Sequence, residues 1–231
     1  TQVRGMNVAV RNAGDAISMA QVAEGGLSTM NDLLQRMREL AVQASNAPNS
    51  AGSAGDIAKL DNEYKQLGAE LSRMLDATQF NGEKILNTTA SYVFQVGSNA
   101  GAENQITIAN GDISLSGNAA FSAVASGGAS ATLITGTASA NTANIAALDA
   151  AISAVNDRRA SLGALQSRFE NTISYLRTAS ENQSAARGRI MDADFAAETA
   201  NLSRTQVLQQ AGTAMIAQAN QAPQQVLALL R

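Results

Sequence analysis

Apolar residues recur every three or four positions along the first part of the chain, which is the spacing of an amphipathic helix. The apolar seam that this spacing indicates runs through Met6, Val10, Ala13, Ile17, Ala20, Ala23, Leu27, Met30, Leu34, Met37, Ala41 and Ala44. Two successive steps of three, at residues 17, 20 and 23, predict a local change of helical phase. Gly25-Gly26 follows, and we expect it to weaken or bend a helix that extends from Val3 to Ser45.

A loop that contains Pro48 separates this helix from a second one, which the pattern predicts from about Asp56 to Ala77. Its apolar positions are Ile57, Leu60, Tyr64, Leu67, Leu71 and Met74. Because the connection is short, the two helices should be antiparallel. Asp56 is a candidate cap or first-turn acid. The dipeptide Asn81-Gly82 then predicts a turn with positive φ.

Between residues 88 and 140 the helical spacing disappears. The segments Tyr92–Val96 and Gln105–Ile108 are rich in β-type residues and predict a hairpin, and Ile113 to Leu115 is a candidate for one more short strand. Residues 117–140 are mostly Ala, Ser, Gly and Thr, with little to bury. We expect an exposed loop or weak extra strands there.

Helical spacing returns at Asn141 and predicts a third helix to about Ala186, with Gly188 as the break that ends it. The apolar positions of this helix are Ile145, Leu148, Ile152, Val155, Leu162, Leu165, Phe169, Ile173 and Leu176. A fourth helix is predicted from near Asp194 to Asn220, with Phe195, Leu202, Ala211, Met215 and Ala219 on its apolar side. Such a helix is adhesive unless it folds onto the core, and the pattern leaves both alternatives open. The fold class that follows is mainly α: an elongated antiparallel bundle of long helices from both chain ends, with a small β-hairpin region in the middle.

Composition argues against several classes of function. Aromatic residues make up only 3% of the chain, so Ala, Leu, Val, Ile and Met must form the core, which suits close helix packing. A net charge of −3 gives no basic surface for nucleic acid. No run of about 18 apolar residues is present to span a membrane.

The residue types of most catalytic sites are also missing. The chain has neither Cys nor His, which removes thiolate nucleophiles, sulfur ligands and the usual general base. Asp192 and Asp194 form the closest carboxylate pair, but an i, i+2 spacing points two side chains apart on a helix. We therefore expect no enzyme activity, no cofactor and no metal.

Several stretches of this chain resemble bacterial flagellin. Leu34–Asn46, which reads LQRMRELAVQASN, is the most specific of them. The others are Asn12–Gln21, Gln79–Gly82, Leu162–Phe169 with Asn171, Asn182–Phe195, Gln209–Asn220 and the closing Leu229–Arg231. Together these stretches span about residues 1–90 and 141–231, so the resemblance includes both ends of the chain in the same order.

The resemblance implies a division into four parts. Residues 1–87 are the amino-terminal helical arm of the rod domain, and residues 88–140 are the β-hairpin and the Ala/Ser/Gly/Thr-rich excursion. Residues 141–187 are the carboxyl-terminal helix of the rod domain, and residues 188–231 are the terminal helix of the filament's inner tube. Flagellins carry a helix before the point where this chain starts, and that helix pairs with the terminal one. We therefore expect an amino-terminal truncation and a chain that does not form ordinary filaments by itself.

The function implied by the resemblance is that of a structural subunit of the extracellular flagellar filament, which serves motility. Its partners would be further copies of itself, the flagellar export chaperone, cap proteins and, in a host, an innate immune receptor. Repeated contacts that do not close into a ring produce such a filament. The candidate contact residues are Arg36, Arg38, Leu40, Glu63, Arg158 and Arg159, with the surface around Arg36, Leu40 and Glu63 as the receptor patch. The alternative for each charged residue is a merely solvated side chain.

Two other functions stay open on the sequence. A flagellin-like cell-surface protein that binds polysaccharide could use the hydroxyl and amide groups of residues 88–142, although only Tyr92, Phe94 and Phe121 offer aromatic rings there. A hook–filament junction protein would share helices of this type. The match to both flagellin-like ends favours the filament subunit.

Overall fold

A computed structural model describes residues 1–46, 54–125, 138–192 and 194–229. The chain divides into two compact units, residues 1–181 and residues 182–231, which we describe separately as unit 1 and unit 2. The predicted loop around Pro48 and residues 126–137 of the predicted exposed loop lie outside the described residues. The described helices are α1 (Gln2–Ala44), α2 (Ala54–Ala77), α3 (Asn110–Ile113), α4 (Ala119–Ala125), α5 (Ala138–Met191) and α6 (Phe195–Leu229). The described strands are β1 (Gln79–Phe80), β2 (Glu83–Lys84), β3 (Tyr92–Gln95) and β4 (Gln105–Ile108). The predicted class, mainly α with long helices from both ends of the chain, is confirmed.

Helix α1 buries a more regular seam than the sequence pattern suggests. The buried positions that follow one another in alternating steps of three and four are Met6, Ala9, Ala13, Ala16, Ala20, Ala23, Leu27, Met30, Leu34, Met37, Ala41 and Ala44. Val10 and Ile17, which the pattern assigns to the seam, are only half-buried. The predicted phase change is therefore wrong, because small alanines rather than larger neighbours face the close helix contact.

The glycine pair in α1 does not interrupt the helix, which runs without a break from Gln2 to Ala44. Gly26 instead permits a close approach. A Cβ added there would lie 2.8 Å from the Thr78 Oγ1 atom and 3.1 Å from the Leu86 Cδ1 atom. Gly25 has nothing within 4 Å of its Cβ position. Gly26, where we expected the helix to be weakened, is therefore a position of close packing.

Helix α2 is antiparallel to α1, as predicted. Arg36 of α1 binds Glu63 of α2, and Gly26, further back in α1, lies against Thr78, just after the end of α2. Tyr64 and Leu71 are buried. The remaining predicted seam residues of α2 are partly buried against the same core: Ile57, Leu60, Leu67 and Met74. Asp56 lies in the first turn of α2, where its carboxylate accepts a hydrogen bond from Lys59 at 3.0 Å.

The amino-terminal helix and the carboxyl-terminal half of the chain meet within unit 1, because α5 packs antiparallel to α1. Hydrogen bonds cross between the two helices along their length: Ser180 to Asn7 (3.5 Å), Arg159 to Glu24 (2.8 Å), Arg38 to Asp149 (2.6 Å) and the Asn141 amide to the Ala44 carbonyl (3.1 Å). As residue numbers rise along α1, they fall along α5. Leu148, Val155 and Phe169 of α5 are fully buried in the same hydrophobic core as the α1 seam.

Two small antiparallel sheets follow α2. In the first, Phe80 pairs with Glu83 across a two-residue turn in which Asn81 has φ 52° and Gly82 has φ 83°. This confirms the turn predicted from Asn-Gly, which tolerates positive φ. The second sheet is the predicted hairpin, in which Tyr92 pairs with Ile108 and Gln95 with Gln105.

The middle segment is part of the core of unit 1. Phe94 packs edge-on against Phe169 of α5, with ring centroids 5.9 Å apart. Residues 113–115 do not form the candidate strand, since Ile113 ends the one-turn helix α3. After it, the Ser114 hydroxyl and the Leu115 amide both donate to the Leu86 carbonyl, at 2.9 Å and 3.0 Å.

The expectation of an exposed loop from residue 117 onward is wrong for the part that the structure describes. Residues 119–125 form α4, and Phe121 and Val124 are each 1% exposed. The Ser72 hydroxyl of α2 donates a hydrogen bond to the Ala125 carbonyl at the end of α4. The apolar Phe121 and Val124 side chains therefore anchor a segment whose composition is otherwise poor in core residues.

The carboxyl-terminal helices differ from their predicted bounds. Helix α5 continues through Gly188 to Met191, so the predicted break at Gly188 is wrong. Asp194 caps α6, because its carboxylate accepts from the amides of Ala196 (3.0 Å) and Ala197 (3.3 Å). Helix α6 extends past the predicted end at Asn220, and through Pro223, to Leu229.

Candidate contact surfaces

Arg36 and Glu63 form a charged group on the outside of unit 1. The Arg36 Nε atom donates to the Glu63 carboxylate at 2.9 Å, and a terminal nitrogen of Arg36 reaches the same oxygen at 2.8 Å. The other terminal nitrogen donates to Glu39 at 3.0 Å. These hydrogen bonds, that to Glu63 first, raise the pKa of Arg36 above its usual value. The side chains remain about half exposed, at 50% for Arg36 and 44% for Glu63, so the group is open to another molecule.

Leu40 lies one helical turn beyond Arg36, on the edge of α1 that turns into the core. Its side chain is 1% exposed and belongs to the hydrophobic core. Leu40 therefore cannot touch a partner directly, and it can influence the predicted patch only by fixing α1 beneath Arg36. Burial at this position follows from its place beside the Met37–Ala41 part of the seam.

Arg38 links α1 to α5 at the surface of unit 1. Its Nε atom donates to the Asp149 carboxylate of α5 at 2.6 Å, and the two side chains are 45% and 51% exposed. The hydrogen bond to Asp149, with the attraction between the two charges, raises the pKa of Arg38. Ion pairs with this exposure contribute little to stability, because water and salt screen the attraction. The geometry thus leaves Arg38 accessible while its charge is already matched.

Arg158 and Arg159 are both engaged inside unit 1. Arg159 donates to Glu24 of α1 at 2.8 Å, and both side chains are about one-third exposed. Arg158 donates to the Ser114 carbonyl at 3.1 Å and also to the Gly111 carbonyl. Since a guanidinium can satisfy several carbonyls at once, Arg158 fastens α3 and the residue after it to α5. These two arginines hold the unit together more than they offer a free charge.

The sequence pattern missed Glu24 and Asp149 as the acids that pair with Arg159 and Arg38. Each acid is distant in sequence from its arginine, by 135 and 111 residues. The antiparallel arrangement of the chain ends was predicted, but the register that opposes these residues was not. A charge pairing across two predicted helices is a usable signal only when that register is known.

Unit 2 presents an apolar surface of another kind. Its exposed large apolar residues are Ile190, Met191, Phe195, Leu202, Val207, Leu208, Met215 and Ile216. Val207 and Ile216 are nine positions apart in α6, so at 3.6 residues per turn they project from opposite sides of the helix. A helix with apolar residues on opposite sides is typical of one that becomes buried on more than one side.

A groove of about 550 Å³ lies between the start of α1 and the loop of the β3–β4 hairpin. It is lined in part by Val8, Asn12 and Gln95. The Asn12 amide donates to the Gln95 carbonyl at 2.9 Å, and the Gln95 side-chain amide donates to the Asn99 carbonyl at 2.8 Å. These amides are therefore already used in holding the loop.

The aromatic rings considered for sugar binding are not arranged as a platform. Phe121 is 1% exposed, and Phe94 packs against Phe169. The Tyr92 hydroxyl donates to the Lys84 carbonyl at 3.1 Å.

Across residues 1–46, 54–125, 138–192 and 194–229, no group of three His, Cys, Asp or Glu side chains lies close enough together to hold a metal ion. In the same part of the chain, no helix combines the length and apolar character needed to cross a bilayer.

Comparison with known families accounts for most of the chain. Residues 1–91 match the bacterial flagellin N-terminal helical region, and residues 145–230 match the bacterial flagellin C-terminal helical region. Both matched regions contribute helices that pair in unit 1.

Individual relatives agree with this assignment. The chain is 46% identical over 231 residues to a flagellin of Halalkalibacterium halodurans, a match that covers all of this chain and 80% of that protein. It is 38% identical over 256 residues to a flagellin of Bacillus subtilis, covering all of this chain and 82% of the relative. Among solved structures, the crystal structure of Bacillus cereus flagellin is similar with a TM-score of 0.57 and 27% identity. That match covers 77% of this chain and 94% of the other.

Proposed function

This chain belongs to the bacterial flagellin family, and we propose that its two units divide the work of a filament subunit between a rigid body and an adhesive helix. The chain is a structural subunit of the flagellar filament used for motility, and it is not an enzyme. The filament that flagellins form is an extracellular appendage. In our proposal, unit 1 supplies the rigid body and unit 2 supplies the adhesive helix.

This division of roles is supported by the different exposure of apolar residues in the two units. In unit 1 the seam of α1 is covered by α2 and α5, so that Leu27, Met30 and Leu34 are each 0% exposed. In unit 2 residues such as Phe195 and Leu208 remain 80% and 65% exposed. Exposed apolar surface of this extent marks an interaction site. We propose that further copies of the chain cover these exposed apolar residues in the filament.

The six predicted contact residues take different parts in this proposal. Arg36, Arg38 and Glu63 face solvent and are proposed to meet neighbouring subunits directly. Leu40, Arg158 and Arg159 are proposed to act indirectly, by stabilising unit 1. Leu40 is buried, and the two arginines bind groups within unit 1. The surface around Arg36 and Glu63 is also the one we propose for an innate immune receptor of a host.

The proposed partners other than the chain itself follow from the exposed helix. An apolar helix in the unassembled protein favours aggregation, so we propose that an export chaperone shields α6 before assembly. Cap proteins at the filament tip would then receive the released subunit. Polysaccharide binding stays a weaker alternative, since the rings of Tyr92, Phe94 and Phe121 are hydrogen-bonded, packed or buried.

A charge substitution tests the contact surface of unit 1. We expect Arg36→Ala and Glu63→Ala each to lower, several-fold, the fraction of chain that sediments with sheared filaments of the source bacterium. The melting temperature should change little, because exposed ion pairs are screened by solvent and contribute little to stability. The measurement is co-sedimentation of the full chain, with thermal unfolding recorded by circular dichroism.

The matched control is Arg73→Ala, which breaks an exposed ion pair with Glu70 within α2 (2.6 Å), ten residues further along that helix than Glu63. It should leave sedimentation unchanged. Equal incorporation of all three variants would show that Arg36 and Glu63 are merely solvated charges. A large drop in melting temperature for Arg36→Ala would assign it a stabilising role instead.

A further inference from the structure

Sulfur is distributed unevenly between the two units. The chain has seven methionines and no cysteine, so thioethers are the only sulfur atoms that an oxidant can meet. Met6, Met19, Met30 and Met37 are buried in α1, with exposures of 6% or less. Met74 is partly buried against the same core. All five of these methionines lie in unit 1, where packing limits their contact with solvent.

The other two methionines are open to solvent, and both lie in unit 2. Met191 is 70% exposed and Met215 is 66% exposed. Their surroundings differ. Met191 lines a small groove with polar neighbours that include Arg187 and Asp192. Met215 lies in α6 beside Ile216, which is 64% exposed, among the apolar residues that carry the proposed self-association.

We propose that Met215 and Met191 are the sites at which a peroxide oxidises the unassembled chain, and that the sulfoxide at Met215 reversibly blocks self-association. The second half of this proposal rests on the proposed function of α6 as an adhesive helix. The first half rests only on the exposure of the two sulfur atoms.

The oxidation step balances with one hydrogen peroxide for each methionine. The Sδ lone pair attacks one peroxide oxygen, a sulfur–oxygen bond forms and the oxygen–oxygen bond breaks. The transferred oxygen loses its proton, and the second oxygen takes up a proton and leaves as water. Sulfur loses two electrons and the peroxide gains them. A methionine sulfoxide reductase can reverse the change.

The consequence at Met215 follows from polarity. A thioether is flexible and apolar, whereas a sulfoxide is polar and accepts hydrogen bonds. Burying a polar group without a hydrogen-bond partner is unfavourable. A sulfoxide at position 215, on the same helix as the exposed Leu208 and Ile216, would therefore disfavour burial of this surface against another copy. At Met191 the neighbours are already polar, so the same change should matter less.

The selectivity of oxidation is tested on the purified full chain with dilute hydrogen peroxide. Peptide mass mapping should show one added oxygen at Met191 and Met215, while the peptides that contain the four buried methionines of α1 remain unmodified. In denaturant all seven methionines should react at similar rates. Oxidation of the α1 methionines in the folded chain at the rate of Met215 would overturn the proposal.

The effect on assembly is tested with variants of the full chain. Met215→Leu removes the sulfur but keeps an apolar side chain, and Met215→Gln places a polar amide of similar size there. Peroxide should lower, several-fold, co-sedimentation of the unmutated chain with sheared filaments, and Met215→Leu should resist this loss. Met215→Gln should lose co-sedimentation without peroxide, while Met191→Leu should leave the loss in place.

The outcomes separate this inference from the proposed function. If Met215→Leu is as sensitive to peroxide as the unmutated chain, the role assigned to Met215 is wrong, although α6 still supports assembly. If the untreated chain does not co-sediment, or if a polar substitution such as Leu208→Gln leaves co-sedimentation unchanged, the adhesive role of α6 fails. The mass map still decides the selectivity in that case.

Discussion

Helices α1 and α6 are both long and both rich in apolar residues, yet they treat those residues in opposite ways. Helix α1, with 43 residues, buries most of its apolar side chains along one face that α2 and α5 cover, although Val8, Val22 and Val42 stay exposed. Helix α6, with 35 residues, has Val207 and Ile216 on opposite sides, and both remain more than 60% exposed. The comparison indicates that the angular distribution of apolar residues around a helix matters more than their number. Apolar residues on one face can be buried within the same chain, whereas apolar residues on opposite sides require another molecule to cover them.

The largest expected effect comes from removing matched leucines from the two helices. Leu34→Ala should lower the free energy of unfolding by about 2–5 kcal/mol, because Leu34 is 0% exposed and its loss leaves a cavity. Leu208→Ala should change it by no more than about 0.5 kcal/mol, because Leu208 is 65% exposed. Urea unfolding followed by circular dichroism measures both.

Co-sedimentation with filaments should reverse this order. Leu208→Ala should reduce incorporation although it barely affects unfolding. If Leu208→Ala destabilises the isolated chain as much as Leu34→Ala, then α6 is covered in solution and the contrast between the two helices fails.

The adjacent glycines of α1 give a smaller effect with opposite signs. Gly26→Ala places a methyl group 2.8 Å from the Thr78 Oγ1 atom, which is itself held by a hydrogen bond to the Met74 carbonyl at 2.8 Å. Overpacking of this kind costs about 1–3 kcal/mol, partly offset by the better helix propensity of alanine. Gly25→Ala meets nothing within 4 Å and should stabilise by up to about 1 kcal/mol.

Chemical denaturation of the two glycine variants side by side checks the prediction. Stabilisation by both substitutions would mean that Thr78 and Leu86 move aside easily, and that the seam of α1 is less tightly packed than its exposures indicate.

Much of the fold could be predicted because it depends on local patterns. The seam from Leu27 to Ala44, the Asn81-Gly82 turn and the β3–β4 hairpin each follow from neighbouring residues. The first half of α1 is predicted less well. The pattern selects the larger Val10 and Ile17 over Ala9 and Ala16, since it rewards hydrophobic size, whereas close helix packing rewards small residues.

The rest depends on contacts between distant residues. Asn141 is buried because its amide caps the Ala44 carbonyl at the end of α1, and no local pattern signals that pairing. The candidate contact surface also depends on contacts between distant residues. The sequence gives no reason to separate Arg36 from Arg158, since both are charged residues of predicted helices. In the structure Arg36 binds the exposed carboxylate of Glu63, whereas Arg158 binds backbone carbonyls of α3 and of the residue after it. Only the register of the helices and the path of the middle segment distinguish them.

Alkaline pH offers a smaller effect that should act on unit 1 alone, because all three tyrosines lie there. Burial, with the nearby charge of Asp61, raises the pKa of Tyr64 to about 12. A pKa raised in the folded state gives stability that is complete below the unfolded value of about 10 and is lost as pH rises toward 12. At about pH 11 the chain should therefore have lost about 1 kcal/mol through this group.

Substitution of single tyrosines assigns that alkaline loss to one hydroxyl. Tyr64→Phe should remove the loss, whereas Tyr175→Phe, at a position 70% exposed, should leave it in place. Urea unfolding at neutral pH and at about pH 11 makes the measurement. An equal alkaline loss in Tyr64→Phe would show that the Tyr64 hydroxyl is not held in the core of unit 1, and the contrast between a closed unit 1 and an open α6 would weaken accordingly.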